Sequence, residues 1–489
     1  MIHLILALLP LVIVLACLLI LKFSALKTGI ITFTILAILV LINTPYQITF
    51  YKVVESSVNG ILISSIAAYV IFFGVLLFHL MNESGKIQDI STQIKLLTND
   101  QVLQVIILVV CISPLIESTS GFGTAFLVIT PILMSLEINH YKAACIGILS
   151  LLAVPWGALA TGTVIGTEIV NLDLKHVGFL TSILTVPSIL YFLGLCIYIL
   201  GGSTLLKNNI YKILIYTLIF SLSNIFFNFF ISVELAGVLS SLLTLVIGIT
   251  HINIQNGRTN KSFNALIKLL SPYIFLTILV LISRTIPIFE TFLKNHFVIS
   301  IEKFNFRLLL LHSPGFWLII TCIYTIIKFK INAHIIFKSL HKTLNQWGIF
   351  VISTTLFISM AEIMDTSGMI TTISNGINNN VGKYFIVISG IIGSVGGFLT
   401  GSNTGANAMF MKLQIHTARE LNLSTSLIAG LQNASASNST MSTPSRILLA
   451  ANLCDIKEHE SKLQREFIKI TAFSTLTLIV VSFLIITFI

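Results

Sequence analysis

Charge is scarce in this chain. Asp, Glu, Lys and Arg make up 9% of its 489 residues, where a soluble domain carries about 25%, and so little charge cannot cover a surface facing water. Cysteine is scarce too. The six present (Cys17, Cys111, Cys145, Cys196, Cys322, Cys454) show no paired spacing and five lie in apolar runs, so they read as small packing residues, not disulfides or metal ligands. No Gly-rich phosphate loop with its lysine occurs, which leaves ATP-driven pumping in cis without a motif. No His, Cys, Asp and Glu cluster has metal-ligand spacing, and the hydroxyl-rich stretches lack a partnered histidine for nucleophilic work. No cofactor or metal is therefore expected, and no enzymatic activity. The formal net charge of +10 is scattered among loops, where it carries topology information. The expected partner is a lipid bilayer and not nucleic acid.

What fills the chain is apolar sequence, 55% of all residues. Runs of spanning length, about 20 residues each, fall near 3–21, 26–42, 60–80, 101–116, 142–160, 176–200, 210–231, 234–250, 265–284, 307–327, 345–363, 384–400, 423–450 and 467–488. This predicts an all-α polytopic membrane protein of about 12–14 transmembrane helices and not a β-barrel. The first run lacks a basic n-region and a cleavage site, and is read as a retained span. Segments around 114–136 and 401–416 are too interrupted to cross, and read as two re-entrant hairpins.

The order of events repeats. Spans starting near 26, 60 and 101 precede the first hairpin and spans near 307, 345 and 384 the second, at offsets of 281, 285 and 283. A shift of 283 also aligns Glu137 with Glu420 and Asn139 with Asn422, and a shift of 284 aligns Gly121 with Gly405. One transporter domain, 1–489, is expected to contain two structural repeats, about 26–200 and 307–489, with connecting helices about 205–306 between them. Five crossings plus three would make the repeats parallel. An inverted pair needs an odd total, so one segment is miscounted, and 285–306 (with Pro287 and Glu290) is the expected place.

Backbone that leaves a helix at membrane depth must line a cavity or be buried in protein, and a matched pair of such breaks points to a transporter's solute site. The first break is Pro114-Leu-Ile-Glu-Ser-Thr-Ser-Gly-Phe-Gly-Thr124. Ser118, Thr119, Ser120 and Thr124 supply hydroxyls there, and Gly121 and Gly123 allow close backbone approach. A helix-packing seam is the alternative reading, which Pro114 and Glu117 fit poorly. The second break offers Ser402, Asn403, Thr404 and Asn407, a composition that a water-exposed loop could share. The span after it contains Gln432-Asn-Ala-Ser-Ala-Ser-Asn-Ser-Thr-Met-Ser-Thr-Pro444, including Asn438 and Ser439, too polar to face lipid. With its counterpart Ala153–Thr163, it reads as a helix unwound around a polar cavity.

A half-helix that begins at such a break offers free N–H groups and a positive dipole end to an anion. Ionisable residues inside spans cost roughly 2.5–3.5 kcal/mol each, so each is a functional candidate. Glu117 is the proton-coupling candidate, since burial favours a neutral carboxyl; an ion pair with a neighbouring span is the alternative. Arg446 could pair with a solute carboxylate, neutralise Glu117 or lie at the interface. Glu168 and Asp173 read as loop residues, Asp365 as a cap beside Glu362, and Arg284 and His312 as structural.

At these residues the chain resembles the bacterial lactate permease family, through Glu117–Thr124, Pro131–Ala144, Val154–Leu159, Gly396–Thr404 and Ile447–Ala451. The resemblance implies uptake of L-lactate, and of D-lactate or glycolate, with a proton across the bacterial inner membrane. It also implies two inverted repeats with a scaffold and a moving elevator domain, and allows a homodimer. Two positions depart from the family: Ala125 stands where Pro is usual, and Arg446 where Asn is usual. The added positive charge bears on which anion is preferred. Rivals are a sodium-coupled carboxylate transporter, a membrane-embedded lipid-modifying enzyme and a passive channel.

Overall fold

The computed structural model describes residues 2–256 and 261–488. Helix follows helix, because a backbone in lipid must satisfy its own N–H and C=O groups and a helix does so within one segment. Among the described residues eight helices are long and apolar enough to cross a membrane, a bent pair makes a ninth, and five shorter apolar helices accompany them. The chain is an all-α, multi-pass membrane protein.

The hairpins are longer than the sequence suggested. The run at 101–116 lies in a helix of spanning length that is also the first arm of the first hairpin. Helix Gln101–Ser120 turns at residues 121–123 into Thr124–Ser135, and the two arms pack together. Likewise Phe385–Thr400 is the first arm of the second hairpin, returning through Asn403–Glu420. Each first arm is as apolar as a span, and hydrophobicity alone does not report how deep a helix goes.

Two amphipathic helices, Lys86–Leu97 and Met369–Val381, escaped the apolar count. The first buries Ile87, Ile90, Ile94 and Leu97 on one face, at the three-to-four spacing of an amphipathic helix. Stretch 285–306 is not a span. It holds the helix Pro287–Asn295 and the first strand of a β-hairpin, Val298–Ile301 paired antiparallel with Phe306–Leu309. The span expected from 307 therefore starts at Pro314, where a proline at the helix start leaves no N–H unsatisfied. Glu168 ends a helix instead of lying in a loop, and Asp173 caps the next one by accepting from the His176 N–H at 3.0 Å.

The order of elements occurs twice. From Ala25 it runs Ala25–Leu41, Phe50–Glu83, Lys86–Leu97, a hairpin, a broken helix and Leu174–Asn208; from Pro314 it runs Pro314–Phe329, Ala333–Thr366, Met369–Val381, a hairpin, a broken helix and Glu460–Phe488. Packing is exchanged between the halves. Ala25–Leu41 lies on Ala333–Thr366, and Pro314–Phe329 lies on Phe50–Glu83. The two long helices pack along each other. Their seam holds Ser64 Oγ and Thr355 Oγ1 2.6 Å apart, and the Trp347 indole N–H donating to the Ala68 carbonyl at 2.8 Å. Each hairpin's return arm meets the other half's broken helix: Asn403–Glu420 against Gly157–Glu168, and Thr124–Ser135 against Pro444–Leu453.

Candidate functional site

Both hairpins end, and both broken helices break, around one point. The first broken helix bends by 55° between His140–Leu149 and Val154–Glu168. Just after the bend, Ala158, Leu159 and Ala160 take left-handed φ of 39°, 53° and 65°. Such a conformation costs a non-glycine residue roughly 1–2 kcal/mol, and strain of this kind collects at functional sites. The second broken helix stops at Thr440–Ser442 and resumes at Pro444. Between these breaks and the hairpin tips lies a cavity of about 40 Å³.

Glu117 stands on the last turn of the first arm, 2% exposed. Residues Gly121, Phe122 and Gly123 all have left-handed φ (68°, 60°, 71°), which curls the tip back over the carboxylate. The Gly123 N–H donates to Glu117 Oε1 at 3.0 Å and the Ala125 N–H lies 3.5 Å from Oε2. The positive end of the return helix, expected to wait for a solute carboxylate, is thus held by the chain's own.

Glycine at 121 is compulsory. A Cβ there would sit 2.9 Å from Ala158 Cβ and 3.1 Å from its nitrogen. Gly121→Ala is therefore expected to lower stability by about 1–3 kcal/mol, through strain and clash together, and to abolish uptake. Thermal unfolding in detergent and a transport assay check both parts, and a wild-type melting profile would show that the tip is not packed against Ala158.

Arg446 faces Glu117 across the cavity from the first turn after the second break. Its Nη1 donates to Thr440 Oγ1 at 2.7 Å and its Nη2 to the Gly401 carbonyl at 3.2 Å. A Cβ on Gly123 would come within 2.7 Å of Nη2, so the guanidinium lies against the first tip as well. Glu117 and Arg446 form no ion pair, although both line the cavity.

Behind the second tip is a network of amides. Asn433 Oδ1 accepts from Asn403 Nδ2 at 2.7 Å and from Asn407 Nδ2 at 2.9 Å. Its own Nδ2 donates to Thr163 Oγ1 at 2.9 Å and Thr181 Oγ1 at 3.2 Å. Asn407 Nδ2 also reaches the Gly162 carbonyl at 3.0 Å, tying the hairpin to the first broken helix. Asn433→Ala would strand the buried Asn403 amide, at about 1–3 kcal/mol, while Asn407 keeps the Gly162 carbonyl and the Thr163 and Thr181 hydroxyls keep the Pro155 and Val177 carbonyls. The expected outcome is a protein of lower melting temperature with impaired uptake; an unchanged melting temperature would mean that the network does not hold the hairpin.

Of the residues proposed from sequence, Glu117, Gly121, Gly123, Ser402, Asn403, Thr404 and Arg446 line the cavity. The others lie behind its wall. Thr119 Oγ1 donates within its own helix to the Leu115 carbonyl, and Thr124 Oγ1 to the Gly121 carbonyl. Ser118 packs on Gly237, and Ser120 is buried beside it in the first arm. Asn407 serves the amide network. Asn438 turns to Ser188 and Ser474, and Ser439 to Ser394. Sequence reasoning missed Ile71, Phe122 and Phe350, whose side chains form an apolar wall, with the two rings edge to face at 5.0 Å. An apolar residue within an apolar span carries no signal of such a role. Gly157, Thr161 and Gly162, also in the wall, do fall at the break the sequence marked. Asp365, read as a cap, pairs with Lys412 at 3.0 Å, and Glu362 beside it pairs with the same lysine at 2.7 Å.

Known proteins resemble this chain over most of its length. An L-lactate permease of Streptococcus iniae is 24% identical over 370 residues, 73% of this chain and 78% of the relative. An L-lactate permease of Halalkalibacterium halodurans is 22% identical over 498 residues, 95% of this chain and 93% of the relative. A glycolate permease of Escherichia coli is 24% identical over 457 residues, 82% of this chain and 81% of the relative. The sequence pattern of the L-lactate permease family matches residues 3–489. With a match from end to end, the chain belongs to the L-lactate permease family.

Proposed function

We propose that the chain is a secondary active transporter that imports L-lactate, or a related small 2-hydroxy monocarboxylate such as D-lactate or glycolate, with a proton across the bacterial inner membrane. One observation carries this reading: a single acid and a single base, Glu117 and Arg446, face one buried cavity without pairing. With Glu117 ionised the two charges balance, and a solute carboxylate would add an uncompensated negative charge where burial makes that costly. With Glu117 protonated, Arg446 is left to match one carboxylate. Solute and proton then bind as a pair, one of each. The apolar wall of Ile71, Phe122 and Phe350 suits a short carbon chain, and the relatives named for lactate and glycolate support that size of acid.

The longer hairpins also bear on the two repeats. Each hairpin returns to the side it entered, so the first half has four crossings (Ala25–Leu41, Phe50–Glu83, the broken helix and Leu174–Asn208). Three connecting helices follow, from Ile210, Val233 and Lys261. The odd total supports inverted repeats, about 26–200 and 307–489, and removes the parity conflict without an extra span.

Proteoliposomes given an inward proton gradient, no sodium and labelled L-lactate test the reading. Accumulation that collapses with a protonophore is expected; no accumulation of lactate or glycolate would overturn it. Sodium coupling is the second reading, favoured by Asn403 Oδ1, a buried oxygen without a hydrogen-bond donor among the described residues. Uptake that follows a sodium gradient and ignores pH would replace the proton with sodium.

A further inference from the structure

Two more cavities lie in a row between the central one and the β-hairpin, each sharing lining residues with the next. The inner, of about 160 Å³, shares Thr161 with the central cavity and is walled by Arg284, Arg307, His312, Ser313 and Glu234. The outer, of about 140 Å³, shares Ile66, Glu168 and Arg307 with the inner, and adds Asn59, Asn305 and Lys412. The inner cavity is mostly apolar, walled by residues such as Val70, Leu159, Val164 and Leu308, and its few ionisable side chains, which are costly at membrane depth, are therefore functional candidates. The β-hairpin that roofs the row is held to the start of helix Phe50–Glu83 by Lys303, whose Nζ lies 3.1 Å from Glu55 Oε1.

Both signs of charge line the row: Arg284 is paired with Glu234 and Lys412 with Glu362, which leaves Arg307 and Glu168 outside any ion pair among the described residues. Arg307, exposed on the second strand, makes no ion pair among the described residues. Deeper, the Arg284 side chain is 5% exposed and its Nη2 lies 3.2 Å from Glu234 Oε1, while its Nε and Nη1 have no acceptor among the described residues. Glu234 is itself bound by the Ser232 hydroxyl. Buried donors without acceptors call for an explanation, and an anion supplies one. Glu168, on the wall common to both cavities, is an acid with no ion pair among the described residues.

We propose that this row is the solute's access route from one membrane face, and that the inner cavity, between Arg284 and Arg307, is a second and weaker station for small carboxylate anions. The proposal rests on the carboxylate reading of the central site. An incoming anion meets Arg307, then Arg284, then passes Thr161 to Arg446. An arginine without an ion pair at a low-dielectric passage, as Arg307 is among the described residues, raises the local concentration of an anion there. The inner cavity has room for several waters or one small acid, about four times the volume of the central one.

Substituting Arg284 alone would strand the buried Glu234, so the test uses Arg307→Gln and Glu168→Gln in proteoliposomes. One charge acting on the anion through a partly hydrated cavity is worth about fivefold in binding. Arg307→Gln should raise the KM for L-lactate by about that factor, and Glu168→Gln should lower it by a similar factor, with the change falling on KM and not on Vmax. Loss of folding or packing would shift both variants the same way, so opposite signs identify an anion passing between the two groups.

A third variant, Arg307→Cys, can be read because all six native cysteines are buried. An anionic thiol reagent should slow its uptake and a cationic one should restore it. If wild-type protein accumulates lactate while both glutamine variants keep its KM, or move it in one direction, the access route is wrong and the central site stands. If wild-type protein takes up neither lactate nor glycolate, both readings fall.

Discussion

Replacing Glu117 by glutamine is expected to abolish proton-driven accumulation of L-lactate while the protein still inserts and still exchanges lactate for lactate. Glutamine has the shape of the protonated acid, so its oxygen can keep the Gly123 N–H now given to Glu117 Oε1. The site is then fixed in the state that accepts a carboxylate beside Arg446. Solute can bind, cross and leave, but no proton travels with it. Each pH unit of gradient is worth about 1.4 kcal/mol, or about tenfold in concentration ratio, and the variant should lose all of it. Counterflow of labelled lactate in the same vesicles separates the two functions. Accumulation at the wild-type level would remove Glu117 from coupling, and loss of counterflow in a folded variant would make it a binding residue instead.

Arg446→Gln is expected to raise the KM for lactate by about 10-fold to 100-fold, since a charge-assisted contact contributes about 1.5–3 kcal/mol. Its effect has two sources that one variant cannot separate. The guanidinium faces the cavity, and it also secures the second hairpin tip through the Gly401 carbonyl. The double variant Glu117→Gln/Arg446→Gln separates binding from charge balance, and its melting temperature reports whether loss of the Gly401 contact has loosened the tip. If Arg446 holds the solute, the double variant exchanges lactate far more weakly than Glu117→Gln alone. If it only balances Glu117, the double variant matches that single variant. Arg446→Asn, which restores the residue usual in the family, tests whether the added charge sets the preference among anions.

How much of this could be read from the sequence depended on the kind of signal. Breaks are legible, because Gly, Ser, Asn and Pro in apolar sequence have few uses other than at a tip or an unwound turn. Both tips and both broken helices were found that way, and Glu117 and Arg446 were singled out as ionisable residues within apolar spans. Facing was not legible. On a helix buried all round, hydroxyls and amides point in every direction, and no polar stripe separates the cavity side from the packing side. Hence Asn438 and Ser439, as polar as Asn403, turn to Ser188, Ser474 and Ser394. The reach of the hairpins was not legible either, because each first arm is as apolar as a span and shows no break before its tip. Short elements were lost for a third reason. Strand Phe306–Leu309 is apolar but for Arg307, and all of it after Phe306 was absorbed into the span that follows.

The doubled order of elements bears on the energetics of the transport cycle. On the proposed inverted-repeat reading, two halves with the same order of elements would give a second state in which each half takes the other's shape. The seams that close in one state would then be those that open in the other. Two basins built from the same contacts would lie near each other in free energy. Near degeneracy matters for a carrier. Shifting a population from 1:99 to 99:1 takes about 5.5 kcal/mol of differential binding, more than a molecule the size of lactate can readily supply. Balanced basins let the carrier cross loaded in one direction and return empty, with neither state acting as a trap.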